Sequence, residues 1–224
     1  MSLRSARSLL LVAVIASCAA PEPRVSPPTE PPASSASPEP TVALPPGAVR
    51  FAVVPSRSHA TIRVREQVAG VAAPGDAQLT TQAFSGALVL LVSGAFAPDS
   101  RIAVELETLK SDSDLRDEWI KINTLQTNLY PRADFTAARV ADLPLPLPSE
   151  GEWTVRLEGT MKIHGVERDL VWELRTTRTA GEVRVRGATS FHFADYGMTV
   201  PANRLILSVV DDIKLEIDLV AREA

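Results

Sequence analysis

The sequence is poor in cysteine, in clustered positive charge and in closely spaced metal ligands, and each shortage excludes a class of protein. Cys18 is the only cysteine among 224 residues, so the chain cannot form an internal disulfide. The formal net charge is −4 and no block of lysine or arginine occurs, which gives nucleic-acid binding no support. His59, His164 and His192 lie far apart, whereas a catalytic zinc site needs about three converging ligands. We therefore predict no metal site, no catalytic residues and no required cofactor.

The residues that precede Cys18 have the layout of an export signal. Two arginines near the start supply positive charge, and the apolar run 9–15 is shorter than the about twenty residues of a membrane-spanning helix. Ile15-Ala16-Ser17-Cys18 resembles the lipobox of bacterial lipoproteins, in which cleavage before the cysteine precedes acylation of its thiol. We expect residues 1–17 to be a lipoprotein signal peptide and Cys18 to carry the lipid. An ordinary signal peptide with an unrelated cysteine is the alternative.

The expected lipid anchor implies an exported protein of the bacterial cell envelope that faces the periplasm. Residue 19 is alanine rather than aspartate, which favours the outer membrane. Ten of the eighteen prolines fall between residues 19 and 48, a composition typical of an extended polyproline segment. We predict that residues 18–48 are the lipidated cysteine and a Pro-rich linker, and that residues 49–224 form one domain.

The domain is predicted to be all-β, because apolar and polar residues alternate with period two in many short segments. The clearest alternating segments are 61–65, 101–107, 153–158, 182–186 and 213–219. Residues 84–96 and 169–177 are more apolar and are predicted to be buried on both faces in places. Eight or more strands with short turns indicate a closed barrel or a sandwich. A helical signal is confined to residues 111–123, and residues 195–201 form a compact connection.

Five segments, in order along the chain, resemble the YceI-like family. They are Leu109-Lys110-Ser111-Asp112 with Leu115-Arg116-Asp117, Leu125 with Tyr130-Pro131-Arg132-Ala133-Asp134-Phe135, Gly159-Thr160-Met161-Lys162-Ile163-His164-Gly165-Val166, Phe193-Ala194-Asp195-Tyr196-Gly197-Met198 and Val210-Asp211-Asp212-Ile213. The resemblance implies a lipocalin-like antiparallel β-barrel of about eight strands with one or two short helical segments. It also implies that a polyisoprenoid chain, such as that of an isoprenoid quinone or a polyprenol, binds inside the barrel. Some relatives form homodimers, so a homodimer is a possible state of this chain.

The apolar members of the alternating strands are the candidates for a ligand-binding lumen, since an apolar chain gains about 0.8 kcal/mol per buried methylene. Together with bulkier residues that could line or plug the mouth, the candidates are Ile62, Val64, Leu88, Leu90, Ile102, Val104, Leu106, Phe135, Val155, Leu157, Trp172, Val183, Val185, Phe191, Phe193, Met198, Leu215 and Ile217. The alternative is that these side chains fill the barrel and pack only against each other.

Polar candidates are fewer. Asp112, Asp114, Arg116 and Asp117 could perform acid–base chemistry, or they could cap a short helix and attach it to the barrel rim. We favour the structural interpretation, because no nucleophile or metal ligand accompanies them. His164, next to a turn glycine, joins Arg116 and Asp117 as a candidate contact for a ligand head group at the rim.

Three functions therefore remain open at the level of sequence. The first is sequestration, carriage or storage of an amphiphilic lipid in the cell envelope. The second is a structural or interaction module whose barrel is filled by its own side chains. The third is an enzyme that acts on a lipid or peptidic substrate.

Overall fold

The computed structural model describes residues 44–224. The predicted signal peptide, Cys18 and most of the Pro-rich linker lie outside the described residues. Within residues 44–224, no helix combines the length and apolar character needed to cross a membrane.

Ten β-segments and one α-helix make up the described chain. The strands are β1 (Val49–Val53), β2 (His59–Val68), β3 (Gly75–Thr81), β4 (Phe84–Leu90), β5 (Arg101–Glu105), β6 (Arg132–Ala141), β7 (Gly151–Ile163), β8 (Val166–Thr179), β9 (Glu182–Phe191) and β10 (Ile206–Glu223). The helix α1 is Asp114–Ile120 and continues into a π-helical turn, Lys121–Leu125. Short 3-10 turns are Pro55–Arg57, Leu106–Thr108 and Phe193–Tyr196.

The ten segments form an eight-stranded closed barrel, because two of the strands are interrupted. β1 and β2 both pair with β10 and act as one strand broken at residues 54–58. β3 and β4 pair with β2 and β1 respectively and act as the second broken strand. Since β1 pairs with β10 as well as with β4, the antiparallel sheet closes on itself. The predicted all-β, lipocalin-like barrel is confirmed.

Successive strands run up and down, so their connections lie at the two ends of the barrel. The helix end carries the connections 69–74, 106–131, 164–165 and 192–205. The terminal end carries residues 44–48, the C terminus and the connections 91–100, 142–150 and 180–181.

Helix α1 begins where the sequence indicates that a helix should. The Ser113 hydroxyl accepts a hydrogen bond from the Arg116 amide at 3.3 Å, which satisfies one of the free amides of the first turn. The helical stretch ends at Gln126, whose left-handed φ of 49° stops further helical hydrogen bonding. Helical structure therefore covers residues 114–125, close to the predicted 111–123.

Strand β8 corrects one prediction about burial. The sequence predicts burial on both faces in places over residues 169–177, but burial alternates strictly along this part of β8. Trp172 and Leu174 are buried, whereas Val171, which precedes Trp172, is half exposed on the outer surface. The reason is that a closed barrel has a single interior, so every second side chain faces away from it.

Candidate ligand-binding site

The barrel encloses a mainly apolar cavity of about 640 Å³. This volume lies within the range of about 300–1,000 Å³ that small-molecule sites occupy. The cavity runs from one end of the barrel to the other, since its wall includes Phe51 and Leu147 at the terminal end and Leu115 and Leu205 at the helix end.

All eighteen candidate lumen residues predicted from the sequence line this cavity. They fall into two groups. Trp172, Phe135 and Val155, from the β6–β8 side, are buried. Ile62 of β2 and Leu215 of β10 point into the same interior but stay half-buried, because they face free space. The side chains therefore do not fill the barrel; ligand contact by any single residue stays a prediction.

The cavity opens at the helix end. A wall residue that is also exposed to solvent marks an opening, and Leu115 (79% exposed), Leu205 (67%) and Asn203 meet both conditions. All three lie at the helix end. Among the described wall residues at the terminal end none is exposed, and Leu143 and Leu147 of the 142–150 connection cover the cavity there.

An ion pair lies on the wall near the mouth. The Arg116 guanidinium donates to the Glu66 carboxylate at 3.0 Å, and Glu66 is only 8% exposed. Arg116 also donates to Asp112, and its Nη1 lies 3.4 Å from the Ser111 hydroxyl. These contacts attach α1 to β2 and neutralise the charge on the wall.

Asp117 is 2% exposed but does not reach the cavity wall. Its Oδ1 accepts hydrogen bonds from the Ser111 amide (2.9 Å) and the Ser111 hydroxyl (2.6 Å), and Lys110 Nζ lies 3.5 Å from Oδ2. Burial alone would raise the pKa of Asp117, but the hydrogen bonds from Ser111 and the charge of Lys110 hold it below its ordinary value. The carboxylate thus joins α1 to the segment before it, as the structural interpretation expects.

His164 also lies away from the cavity wall. It occupies the β7–β8 turn with a φ of 51°, its ring packs 4.5 Å from the Tyr130 ring, and its Nδ1 lies 3.3 Å from the Tyr196 carbonyl oxygen. Tyr196 is 1% exposed, and burial raises the pKa of its phenol to about 12. Of the three side chains predicted to contact a head group, the structure therefore brings only Arg116 to the cavity. The turn directs His164 against neighbouring aromatic side chains instead.

Two polar wall residues at the terminal end were not identified from the sequence. Thr176 and Arg178 continue the inward series of Trp172 and Leu174 along β8, and each is 8% exposed. Arg178 Nη1 donates to the Pro148 carbonyl oxygen at 2.8 Å, and Nη2 donates to the Glu223 carboxylate. Arg178 Nε and Thr176 Oγ1 are buried and have no hydrogen-bond partner. The period-two spacing from Trp172 would have placed both inside, had the alternation been followed past Leu174.

No group of three or more histidine, cysteine, aspartate or glutamate side chains within residues 44–224 is arranged to hold a metal ion.

Comparison with known proteins identifies relatives of the whole barrel. A family model described as the YceI-like domain matches residues 51–221. Among solved structures, a polyisoprenoid-binding domain from Saccharophagus degradans, implicated in plant cell wall breakdown, superposes with a TM-score of 0.58 at 12% identity, covering 78% of this chain and 98% of that one. BcnA from Burkholderia cenocepacia superposes with a TM-score of 0.53 at 9% identity, covering 75% and 98%. No curated protein matches. At such low identity these superpositions show a shared fold.

Proposed function

The chain belongs to the YceI-like family, and on that premise we propose that it binds a polyisoprenoid or a similar amphiphilic lipid inside its barrel. The observation that carries the proposal is the cavity of about 640 Å³, apolar along its length and open at the helix end. A structural neighbour described as a polyisoprenoid-binding domain supports the same ligand class.

The physical basis of binding is burial of the apolar chain. Ten methylene equivalents contribute about 8 kcal/mol at about 0.8 kcal/mol each, which is comparable with the about 4–15 kcal/mol that association costs. With a longer chain, or with a hydrogen bond to its head group, the favourable free energy exceeds the cost of association. The half-buried wall formed by β2, β9 and β10 supplies the surface that such a chain would cover.

We favour binding over catalysis, because the charged side chains on the wall are engaged in ion pairs. Glu66 pairs with Arg116 near the mouth, and Arg178 pairs with Glu223 at the terminal end. Sequestration or carriage in the cell envelope follows if Cys18 is acylated, since the lipid and the Pro-rich segment would then hold the barrel at a membrane surface.

Native mass spectrometry of the mature chain tests the proposal. We would purify residues 18–224 with Cys18→Ser, which removes the proposed acylation site, and add geranylgeraniol or a menaquinone with the same geranylgeranyl tail. A stoichiometric adduct is expected. A chain that stays ligand-free with both probes would contradict the proposal.

A cavity-filling variant identifies where the adduct binds. Leu215 faces the cavity from β10, so Leu215→Trp should reduce adduct formation at least tenfold. Lys214→Trp places the same indole on the outer surface of the same strand and should leave binding unchanged. Equal binding by both variants would mean that the ligand lies outside the barrel.

A further inference from the structure

The terminal end of the cavity contains two buried hydrogen-bonding groups without partners, Arg178 Nε and Thr176 Oγ1. We propose that they form a polar subsite for a neutral oxygen atom of the ligand head group, so that the lipid enters head first and its chain extends towards the helix end. This proposal rests on lipid binding in the barrel and specifies the head group and its orientation.

Geometry supports a shared subsite. Thr176 and Arg178 are two residues apart on β8, so their side chains leave the same face about 6–7 Å apart along the strand. Both belong to the cavity wall and both are 8% exposed. A buried polar group without a partner costs about 1–3 kcal/mol, and a ligand oxygen that accepts from it removes that cost.

The charge balance favours a neutral head group. The Glu223 carboxylate compensates the Arg178 guanidinium, and the Pro148 carbonyl takes a second donor of the same group. The buried groups that have no hydrogen-bond partner are the Nε–H of Arg178 and the hydroxyl of Thr176. These fit the oxygen of an alcohol or of a quinone carbonyl. A diphosphate would bring its charge close to Glu223 with no uncompensated cation to balance it.

The helix end is the competing location for a head group. Thr124 lies on the wall there and its buried Oγ1 also has no hydrogen-bond partner. However, the neighbouring Arg116 donates to Glu66, Asp112 and Ser111. On the cavity wall, the helix end thus offers one buried group without a partner, the Thr124 hydroxyl, whereas the terminal end offers a hydroxyl together with a guanidinium N–H.

Ligands that share one isoprenoid tail but differ in head group test the proposed subsite. Dissociation constants would be measured for geranylgeraniol, geranylgeranyl diphosphate and the hydrocarbon that lacks the hydroxyl, using residues 18–224 with Cys18→Ser. The alcohol should bind about five- to tenfold more tightly than the hydrocarbon, the net gain expected from one or two hydrogen bonds after the hydroxyl has lost its contacts with water. The diphosphate should bind no better than the alcohol.

Substitutions then show which end of the cavity causes the preference for the alcohol over the hydrocarbon. Thr176→Val and Arg178→Lys should each remove most of the preference for the alcohol over the hydrocarbon, both measured in the same variant, and Thr124→Val should leave the preference intact. Arg178→Lys keeps the positive charge beside Glu223 and removes the Nε–H.

Three results would overturn the subsite. These are a preference unchanged in both terminal-end variants, a preference lost in Thr124→Val, or tighter binding of the diphosphate than of the alcohol. Binding of none of the ligands by the unsubstituted chain would overturn the lipid-binding function and the subsite together. Tight hydrocarbon binding without any preference for the alcohol would leave the function standing and remove the subsite alone.

Discussion

The two ends of the barrel both bury charged side chains, but only at the terminal end does a charged residue of the cavity wall, Arg178, keep a buried donor without a partner. At the helix end, Ser111 and Lys110 surround the Asp117 carboxylate, and Arg116 shares its donors among three partners. At the terminal end, Arg178 is also buried, but its Nε has no partner. Both arrangements lie beside one apolar cavity.

This difference distinguishes a structural cluster from a candidate binding group. Asp117 accepts from residues close to it in sequence and holds a short helix against the barrel, so its contacts are part of folding. Arg178 contacts the 142–150 connection and the last strand, yet its buried Nε has no hydrogen-bond partner. We therefore expect substitutions at the helix end to lower the stability of the fold, and substitutions at the terminal end to change both stability and ligand binding.

The largest effect is expected from Asp117→Ala. Removing the buried carboxylate leaves the partly buried Ser111 amide and hydroxyl without their acceptor, so the free energy of unfolding should fall by about 3 kcal/mol. Urea denaturation followed by circular dichroism measures this loss. Asp114→Ala is the matched control on the same helix, since the Asp114 side chain is 94% exposed and its removal should cost less than about 0.5 kcal/mol. Equal losses in the two variants would contradict the structural role of Asp117.

Arg178→Met should have a smaller effect on folding. The change removes the donor to the Pro148 carbonyl and leaves Glu223 without its cation, for an expected loss of about 2 kcal/mol. The control is Arg175→Met on the outer face of the same strand, where the side chain is 71% exposed. Amide hydrogen exchange should rise in residues 142–150 of Arg178→Met and not in the control. Unchanged exchange there would show that Arg178 does not hold this connection.

Thr176→Val should stabilise the ligand-free protein by up to about 1 kcal/mol, because valine has nearly the same shape and removes a buried hydroxyl that has no partner. Thr81→Val is the opposite case on the same cavity wall. Its hydroxyl lies 2.6 Å from that of Thr108 and accepts from the Ala83 amide at 3.0 Å, so this variant should lose about 1 kcal/mol. Thermal denaturation of both variants without ligand measures the contrast. A loss of stability in Thr176→Val would mean that its hydroxyl already has a partner.

More of the fold than of the site could be predicted from the sequence. Period-two alternation identifies the strands and the face of each that points inward, and the same inward set lines the cavity. Barrel closure depends on β1 meeting β10, which is a contact between the two ends of the domain that no local pattern encodes. The resemblance to a family supplied that step.

The site required the structure for two physical reasons. Free volume in the barrel is the difference between its size and the sum of all inward side chains, so Ile62 and Leu215 cannot be assigned to open space from their own strands. The direction of a side chain in a turn also depends on residues that are distant in sequence. His164 precedes a glycine at the helix end, yet its ring packs on Tyr130. Arg178 was missed because a charged residue near the end of a strand is ordinarily solvated.

The smallest effect is expected when the pH is lowered, because protonation removes the charge of Asp117 at the helix end without changing the shape of its side chain. The folded state lowers the pKa of Asp117, so this carboxylate adds stability above its ordinary unfolded pKa of about 3.9, and the contribution is lost as the pH falls through the lower folded value. In Asp117→Asn that contribution is absent at every pH. The difference in unfolding free energy between the wild type and Asp117→Asn should therefore be constant from about pH 7 to pH 5 and should shrink below about pH 4. A difference that stays constant into acid would mean that the carboxylate is no more stable ionised in the fold than in the unfolded chain, and the contrast between the two ends would lose its electrostatic basis.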